Sequence, residues 1–130
     1  MKLKLLFLLL LICTLNSCDW SDSKLRIKNS TPYDVYAICY DMDSLNDYPN
    51  KVLDLDFIPK DSIKQMWLFN QKWEEYVLNS RNGGLNLFII ESSVIKSATR
   101  DSIIENKLYY NQLFYTYAEL ERLEWFVTLH

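Results

Sequence analysis

Apolar and polar residues alternate along several short stretches of the chain, which is the period of a β-strand with one buried face. The stretches that predict strands are residues 24–28, 33–40, 62–69, 85–90, 107–115 and 124–130. In the second stretch, alternation places Val35, Ala37 and Cys39 on one face and Tyr36, Ile38 and Tyr40 on the other. The sequence LNLFII at residues 85–90 is the most continuously apolar, so it predicts a central strand.

The period changes at three places to that of a short helix. Residues 70–79 carry Trp73, Tyr76 and Val77 at i, i+3 and i+4, with Asn70 as the predicted N-cap. A second helix is predicted over residues 99–106. Thr116 and Glu119 fit a capping box that opens a third helix. The predicted fold is therefore mainly β: a single antiparallel β-sandwich or partly open barrel with two or three short helices, spanning residues 24–130.

The N-terminal segment has the pattern of an export signal. Lys2 and Lys4 precede an apolar run over residues 5–15, about the length of a signal-peptide core. A membrane-spanning helix needs roughly 20 apolar residues, and here polar residues begin at Asn16. We therefore predict a signal peptide over residues 1–17, followed by a short polar tether over residues 18–23.

The end of the predicted signal, Leu15-Asn16-Ser17-Cys18, resembles the bacterial lipobox. That resemblance implies cleavage before Cys18 and a thioether from its thiol to diacylglycerol. Stable anchoring takes two or more acyl chains, which bacterial lipoproteins carry, palmitate among them. The expected location is the cell envelope, at the outer membrane, on its periplasmic or its surface face. The alternative is an ordinary signal peptide that happens to be followed by a cysteine.

Charge and cysteine content narrow the range of partners. The chain has a net charge of −3, and removal of residues 1–17 takes away two lysines and no acid, giving −5. Nucleic acid is excluded as a partner, because its phosphates call for clustered lysine and arginine. The net negative charge also argues against an electrostatic attraction to anionic lipid. Cys39 is the one cysteine left in the predicted domain, so no intramolecular disulfide can form.

Candidate catalytic residues are few, and we predict neither an enzyme nor a cofactor. The one histidine is the terminal His130, and Cys39 lies among apolar neighbours in a predicted strand. The two glycines are adjacent and form no phosphate-binding loop. A hydrolase would need a pocket with perturbed carboxylates, for instance from Glu74, Glu75, Asp54 and Asp56, and the sequence assembles no such pocket.

An acidic loop offers a candidate metal site. Asp41, Asp43 and Asp47 lie within seven residues, and oxygen-rich loops bind calcium. The loop lacks the glycine and the distal glutamate of an EF-hand, so a solvated loop is favoured over a calcium site. We predict no metal.

Aromatic residues make up 15% of the chain, and tyrosines on an exposed sheet face could stack on sugars or anchor a protein partner. The candidates are Tyr33, Tyr36, Tyr40, Tyr109, Tyr110, Tyr115 and Tyr117. The competing interpretation is that these tyrosines are core residues, because alternation along a strand directs about half of them inward.

The order of segments resembles that of small lipoproteins of Bacteroidetes for which no activity is established. The resemblance lies in the opening strand at residues 24–30, which ends in Ile27-Lys28-Asn29-Ser30, in RDSII at residues 100–104, and in YTYAELERLEWFVTL at residues 115–129. Arg100 stands where members often have tryptophan. The resemblance covers nearly the whole mature chain. It implies a cellular location and a fold, but no mechanism.

Three serines follow aspartate and precede an aliphatic residue. Ser44, Ser62 and Ser102 each look like the sites at which Bacteroidetes O-glycosylate exported proteins. Asp-Ser is also common in turns and caps, which is the alternative for each. Ser44 lies in the most loop-like setting.

Three functional hypotheses follow. The first is a non-enzymatic lipid-anchored module that binds a protein or glycan through loops or a sheet face. The second is a periplasmic immunity or inhibitor lipoprotein whose acidic surface blocks a basic effector site. The third, a small hydrolase, is the least supported.

Overall fold

The computed structural model describes residues 21–49 and 53–130, which form nine strands and four short helices. The strands are β1 (Ser21–Asp22), β2 (Arg26–Asn29), β3 (Val35–Tyr40), β4 (Asp56–Ile58), β5 (Ile63–Gln65), β6 (Leu68–Phe69), β7 (Leu85–Glu91), β8 (Asn111–Tyr115) and β9 (Phe126–Leu129). The helices are α1 (Trp73–Leu78), α2 (Ser92–Ser97), α3 (Arg100–Glu105) and α4 (Tyr117–Arg122). The mainly β prediction is confirmed, with one helix more than expected. The predicted signal peptide and Cys18 lie outside the described residues.

The strands form three sheets. A four-stranded antiparallel sheet has the order β4-β3-β7-β8, and a three-stranded sheet has the order β5-β2-β9. The third sheet is the short antiparallel pair β1-β6. The expectation of a wholly antiparallel fold is wrong in one respect, because β2 and β9 pair in parallel, with Ile27 opposite Val127.

The two larger sheets enclose the main hydrophobic core, as in a β-sandwich. Leu25 and Ile27 on one side meet alternate residues of β3 and β7 on the other. Trp73 and Val77 from α1 and Leu120 from α4 close the same core. The prediction for β9 is confirmed, because Trp125, Val127 and Leu129 all face inward.

The opposite face of the four-stranded sheet carries a second core. Ile38 and Tyr40 of β3 and Phe88 and Ile90 of β7 pack there against α3 and the loop that follows β3. Both faces of β7 are therefore covered, which confirms the prediction that LNLFII is a central strand. Gly84 immediately precedes β7, and a Cβ atom there would collide with the carbonyl oxygen of Tyr115.

Several predicted boundaries are wrong. The predicted strand at residues 62–69 is divided between β5 and β6, which belong to different sheets. The strand predicted from residue 107 begins at Asn111, after a left-handed residue at Lys107 with φ 49°. Helix α1 begins after Lys72 rather than Asn70, which is itself left-handed, and its N-cap makes no side-chain hydrogen bond.

Local hydrogen bonds explain two other boundaries. At α4, the Thr116 hydroxyl accepts from the Glu119 backbone N–H while the Glu119 carboxylate accepts from the Thr116 N–H, so the predicted capping box is confirmed. At α3, the Thr99 hydroxyl accepts from the Ser102 N–H.

Among the described residues, no helix is long and apolar enough to cross a bilayer.

Candidate functional site

A cleft of about 290 Å³ lies between the end of β3, strand β4, the connection between β5 and β6, and helix α1. Its walls are formed by Cys39, Tyr40, Tyr48, Pro49, Asp54, Asp56, Met66, Trp67, Leu68, Trp73 and Tyr76. We refer to it as the aromatic cleft, because five of these side chains are tyrosine or tryptophan. The cleft is also lined by two carboxylates, those of Asp54 and Asp56, and by the Cys39 thiol.

The aromatic side chains are held in place by contacts with one another and with the backbone. The Trp73 indole N–H donates to the Met66 carbonyl oxygen at 2.9 Å, and the Trp73 and Tyr76 ring centroids lie 5.7 Å apart. On the other wall, the Tyr40 and Tyr48 rings meet edge to face at 5.0 Å. Trp67 is different, since it is 51% exposed at the rim. The cleft therefore has preformed walls and one large ring open to solvent.

The two carboxylates have different environments. The Tyr48 hydroxyl donates to Asp54 Oδ2 at 3.1 Å, which orients that side chain. Asp56 is half-buried, and within residues 21–49 and 53–130 its carboxylate has no hydrogen bond or ion pair. Burial raises the pKa of Asp56, and the nearby Asp54 raises it further while Lys64 opposes the shift. Asp56 thus has acceptor capacity available to a ligand.

Cys39 is an unreactive member of the wall. Burial raises the pKa of its thiol, and the charge of Asp56 adds to that effect. A thiol is nucleophilic only as the thiolate, so this side chain stays a protonated core residue at neutral pH. Burial likewise raises the pKa of the Tyr76 hydroxyl, which keeps it neutral.

Arg81 fixes the outer side of Tyr40. Its guanidinium donates to both Asp41 carboxylate oxygens, at 2.9 and 2.7 Å, and to the Tyr40 hydroxyl oxygen at 2.8 Å. This pairing lowers the pKa of Asp41. Nothing in the local sequence joins Arg81 to a strand some 40 residues earlier, and the sequence did not predict the contact.

The structure does not bring the calcium candidates together. The Asp41 carboxylate is occupied by Arg81, whereas Asp43 and Asp47 are exposed. In the described ranges, no three histidine, cysteine, aspartate or glutamate residues are grouped so as to hold a metal ion.

The seven candidate tyrosines do not form one patch. Tyr40 alone among them lines the aromatic cleft, and Tyr115 and Tyr117 pack on the main core. The ring centroids of Tyr33 and Tyr110 lie 5.7 Å apart, and those of Tyr36 and Phe57 lie 5.1 Å apart. Tyr109 packs against Phe88 in the second core. The sequence analysis missed Trp67, although alternation over residues 62–69 directs it outward.

The candidate glycosylation serines are all partly buried. The Ser44 hydroxyl accepts from the Asn46 N–H at 3.2 Å, and the Ser62 hydroxyl donates to the Pro59 carbonyl at 2.6 Å. The Ser102 hydroxyl accepts from the Asn106 amide at 3.2 Å. Modification of any of them stays a prediction, with Ser44 in an irregular loop and Ser102 in the first turn of α3.

The four carboxylates considered for a hydrolase divide into two groups. Asp54 and Asp56 meet in the aromatic cleft, a pocket that the sequence did not assemble. Glu74 pairs instead with Lys24 at 2.6 Å, and Glu75 is exposed on α1. His130 is exposed at the far end of β9.

Comparison with known proteins adds no family. No protein-family model matches this chain, and neither a curated protein nor a solved structure shows significant similarity to it.

Proposed function

We propose that this protein is a lipid-anchored cell-envelope module that binds a glycan in the aromatic cleft without chemical turnover. The observation that carries the proposal is the combination in one cleft of rigid aromatic walls, an open tryptophan and the Asp56 carboxylate, which has no hydrogen-bond partner among the described residues. The lipobox-like segment and the resemblance to small Bacteroidetes lipoproteins support the envelope part of the proposal.

The walls suit a sugar ring. Aromatic faces pack against the apolar C–H face of a pyranose, and the polar edges of tyrosine and tryptophan hydrogen-bond at the same time. Trp67 offers such a face at the rim, and Trp73 and Tyr76 form the wall behind it. A site of this kind recognises shape and hydroxyl placement rather than charge.

The carboxylates supply the hydrogen bonds. An ionised carboxylate is an acceptor with two oxygens, so it pairs with neighbouring hydroxyl groups of one sugar ring. Asp56 meets this need because its oxygens have no partner among the described residues, and Asp54 is oriented beside it by Tyr48. Hydrogen bonds that involve a charged group contribute about 1.5–3 kcal/mol each.

The size of the cleft favours a small group over a folded partner. Small-molecule pockets begin at roughly 300 Å³, whereas stable protein interfaces bury about 800 Å² on each side. At about 290 Å³, the aromatic cleft holds a ring-sized group. Such a group could be the end or one unit of a longer envelope glycan.

Replacement of Asp56 by alanine will weaken glycan binding by at least tenfold, because a charge-assisted hydrogen bond is lost. The screen is a glycan array that includes neutral, amino and acidic sugars, followed by calorimetric titration of the best ligand. Burial raises the pKa of Asp56 above its unfolded value, so its charged form opposes folding as the pH rises through that range. The variant will therefore be at least as stable as the wild type at neutral pH.

The matched control is Asp47→Ala, which removes an exposed carboxylate from the same region. It should leave both binding and stability unchanged. Equal affinity in wild type and Asp56→Ala would place the glycan elsewhere. Release of a hydrolysed product from the bound glycan, abolished in Asp56→Ala, would replace the binding proposal by the hydrolase hypothesis.

The anchoring part of the proposal has a separate test. Replacement of Cys18 by alanine will shift the protein from the membrane fraction to the soluble fraction of its native envelope, and intact mass will show that acyl chains are lost. The matched variant Cys39→Ala keeps the acyl mass and the membrane location. A wild-type chain that is lipid-free and starts at a residue other than Cys18 would refute lipid anchoring.

A further inference from the structure

One row of side chains along residues 63–69 points outward. Exposure alternates through this segment, with Met66 buried and with Ile63, Gln65, Trp67 and Phe69 exposed. Three of these four outward residues are large and apolar, and Ile63 is 57% and Phe69 69% exposed. We call Ile63, Gln65, Trp67 and Phe69 the outward row. Three large apolar side chains exposed within seven residues favour a contact surface over a purely solvated one.

Basic residues lie beside the outward row. In the three-stranded sheet, Arg26 is directly opposite Gln65, and Lys28 is directly opposite Ile63. Both basic side chains are exposed, so they share the outer face of this sheet with Ile63 and Gln65. Aromatic residues are favoured at the membrane interface, and Lys and Arg are attracted to anionic headgroups. The net negative charge of the chain does not indicate that Arg26 and Lys28 lie together on one face.

The outward row ends where the chain enters the domain. Strand β1 pairs with β6, which places Ser21 directly opposite Phe69. Cys18 precedes Ser21 by three residues, and a chain of that length reaches at most about 10 Å. A lipid on Cys18 would therefore hold Phe69 close to the surface of the bilayer.

From these three observations we infer that the outward row docks the domain on the bilayer that holds its lipid anchor. Trp67 and Phe69 enter the interface, with Arg26 and Lys28 over anionic headgroups. The inference rests on the proposed lipidation of Cys18. Because Trp67 also borders the aromatic cleft, the cleft opens beside the membrane, and its ligands are glycans that lie close to that surface.

The experiment uses the full lipidated protein in vesicles of phosphatidylethanolamine and phosphatidylglycerol, with a fraction of lipids brominated in the upper acyl chain. Bromine quenches tryptophan fluorescence on contact, and subtraction of a Trp67→Phe variant isolates the signal of Trp67. We expect strong quenching of Trp67 in the wild type. The double variant Ile63→Ser with Phe69→Ser will lose most of that quenching.

The matched control is the double variant Leu78→Ser with Phe114→Ser, which removes exposed apolar side chains outside the outward row. Its Trp67 quenching should equal that of the wild type. Cofloatation of protein with vesicles and acyl mass report the anchor independently of docking. Failure of cofloatation refutes the lipid anchor itself, and the docking inference falls with it.

Two results overturn docking while leaving the anchor intact. One is a wild-type protein that floats with vesicles but shows no quenching of Trp67. The other is a detergent-solubilised dimer that Phe69→Ser converts to a monomer, again without quenching in vesicles. The outward row would then be a contact between two copies of the chain.

Discussion

Replacement of Trp125 by alanine will lower the free energy of unfolding by about 3–5 kcal/mol, the usual cost of truncating a buried aromatic residue. Trp125 is 1% exposed and belongs to the main core, where its ring meets Tyr117 at 6.0 Å. Its indole N–H donates to Glu121 at 2.8 Å, so the change also removes a hydrogen bond that joins the end of α4 to the core.

Urea denaturation followed by far-ultraviolet circular dichroism measures this effect. The control is Trp67→Ala, which removes the same side chain from the surface and should change stability by less than about 0.5 kcal/mol. Equal losses in the two variants would show that Trp125 is not a core residue. Trp125→Phe should recover part of the stability, since it keeps most of the apolar ring.

Replacement of Asn29 by alanine will cost about 3 kcal/mol, because four hydrogen bonds converge on this fully buried side chain. Its amide group donates to the carbonyl oxygens of Tyr33 at 2.8 Å and Ile58 at 2.9 Å. Its oxygen accepts from the Thr31 N–H at 3.0 Å and the Thr31 hydroxyl at 2.7 Å. Alanine removes all four of these bonds, although the Thr31 hydroxyl still donates to the Tyr33 carbonyl oxygen at 3.1 Å.

Chemical denaturation of three variants tests this role. Asn46→Ala, an exposed loop change, should stay within about 0.5 kcal/mol of the wild type. Asn29→Asp keeps the acceptor but faces two carbonyl oxygens without a donor, so at neutral pH it should cost at least as much as alanine. An Asn29→Ala protein as stable as Asn46→Ala would contradict the bonding described here.

The elements that the sequence predicted well are those decided by local pattern. Alternation in β3 and β9 assigned each residue to its correct face, because successive side chains of a strand point to opposite faces of the sheet. The capping box at Thr116 was also predictable, because both partners lie within four residues. These features depend only on residues that are close together in the sequence, so one sequence is enough to predict them.

Pairing partners and the cleft could not be predicted in the same way. The period of residues 62–69 continues through Met66, so nothing in the pattern indicates that β5 and β6 join different sheets. Tyr40, Asp56, Trp67 and Tyr76 come from four separate segments of the chain, and the strand order decides whether they meet. The strand order itself rests on long-range contacts that the hydrophobic period does not encode.

The parallel pairing of β2 with β9 has a consequence for when the protein can fold. Strand β2 occupies the middle of its sheet, and one of its two neighbours is the last strand of the described chain. During synthesis, the three-stranded sheet cannot be completed until Phe126–Leu129 has emerged, because only then can β9 pair with β2. Contacts so distant in sequence form slowly. The three-stranded sheet therefore stays incomplete, with one edge of β2 unpaired, until Phe126–Leu129 is available.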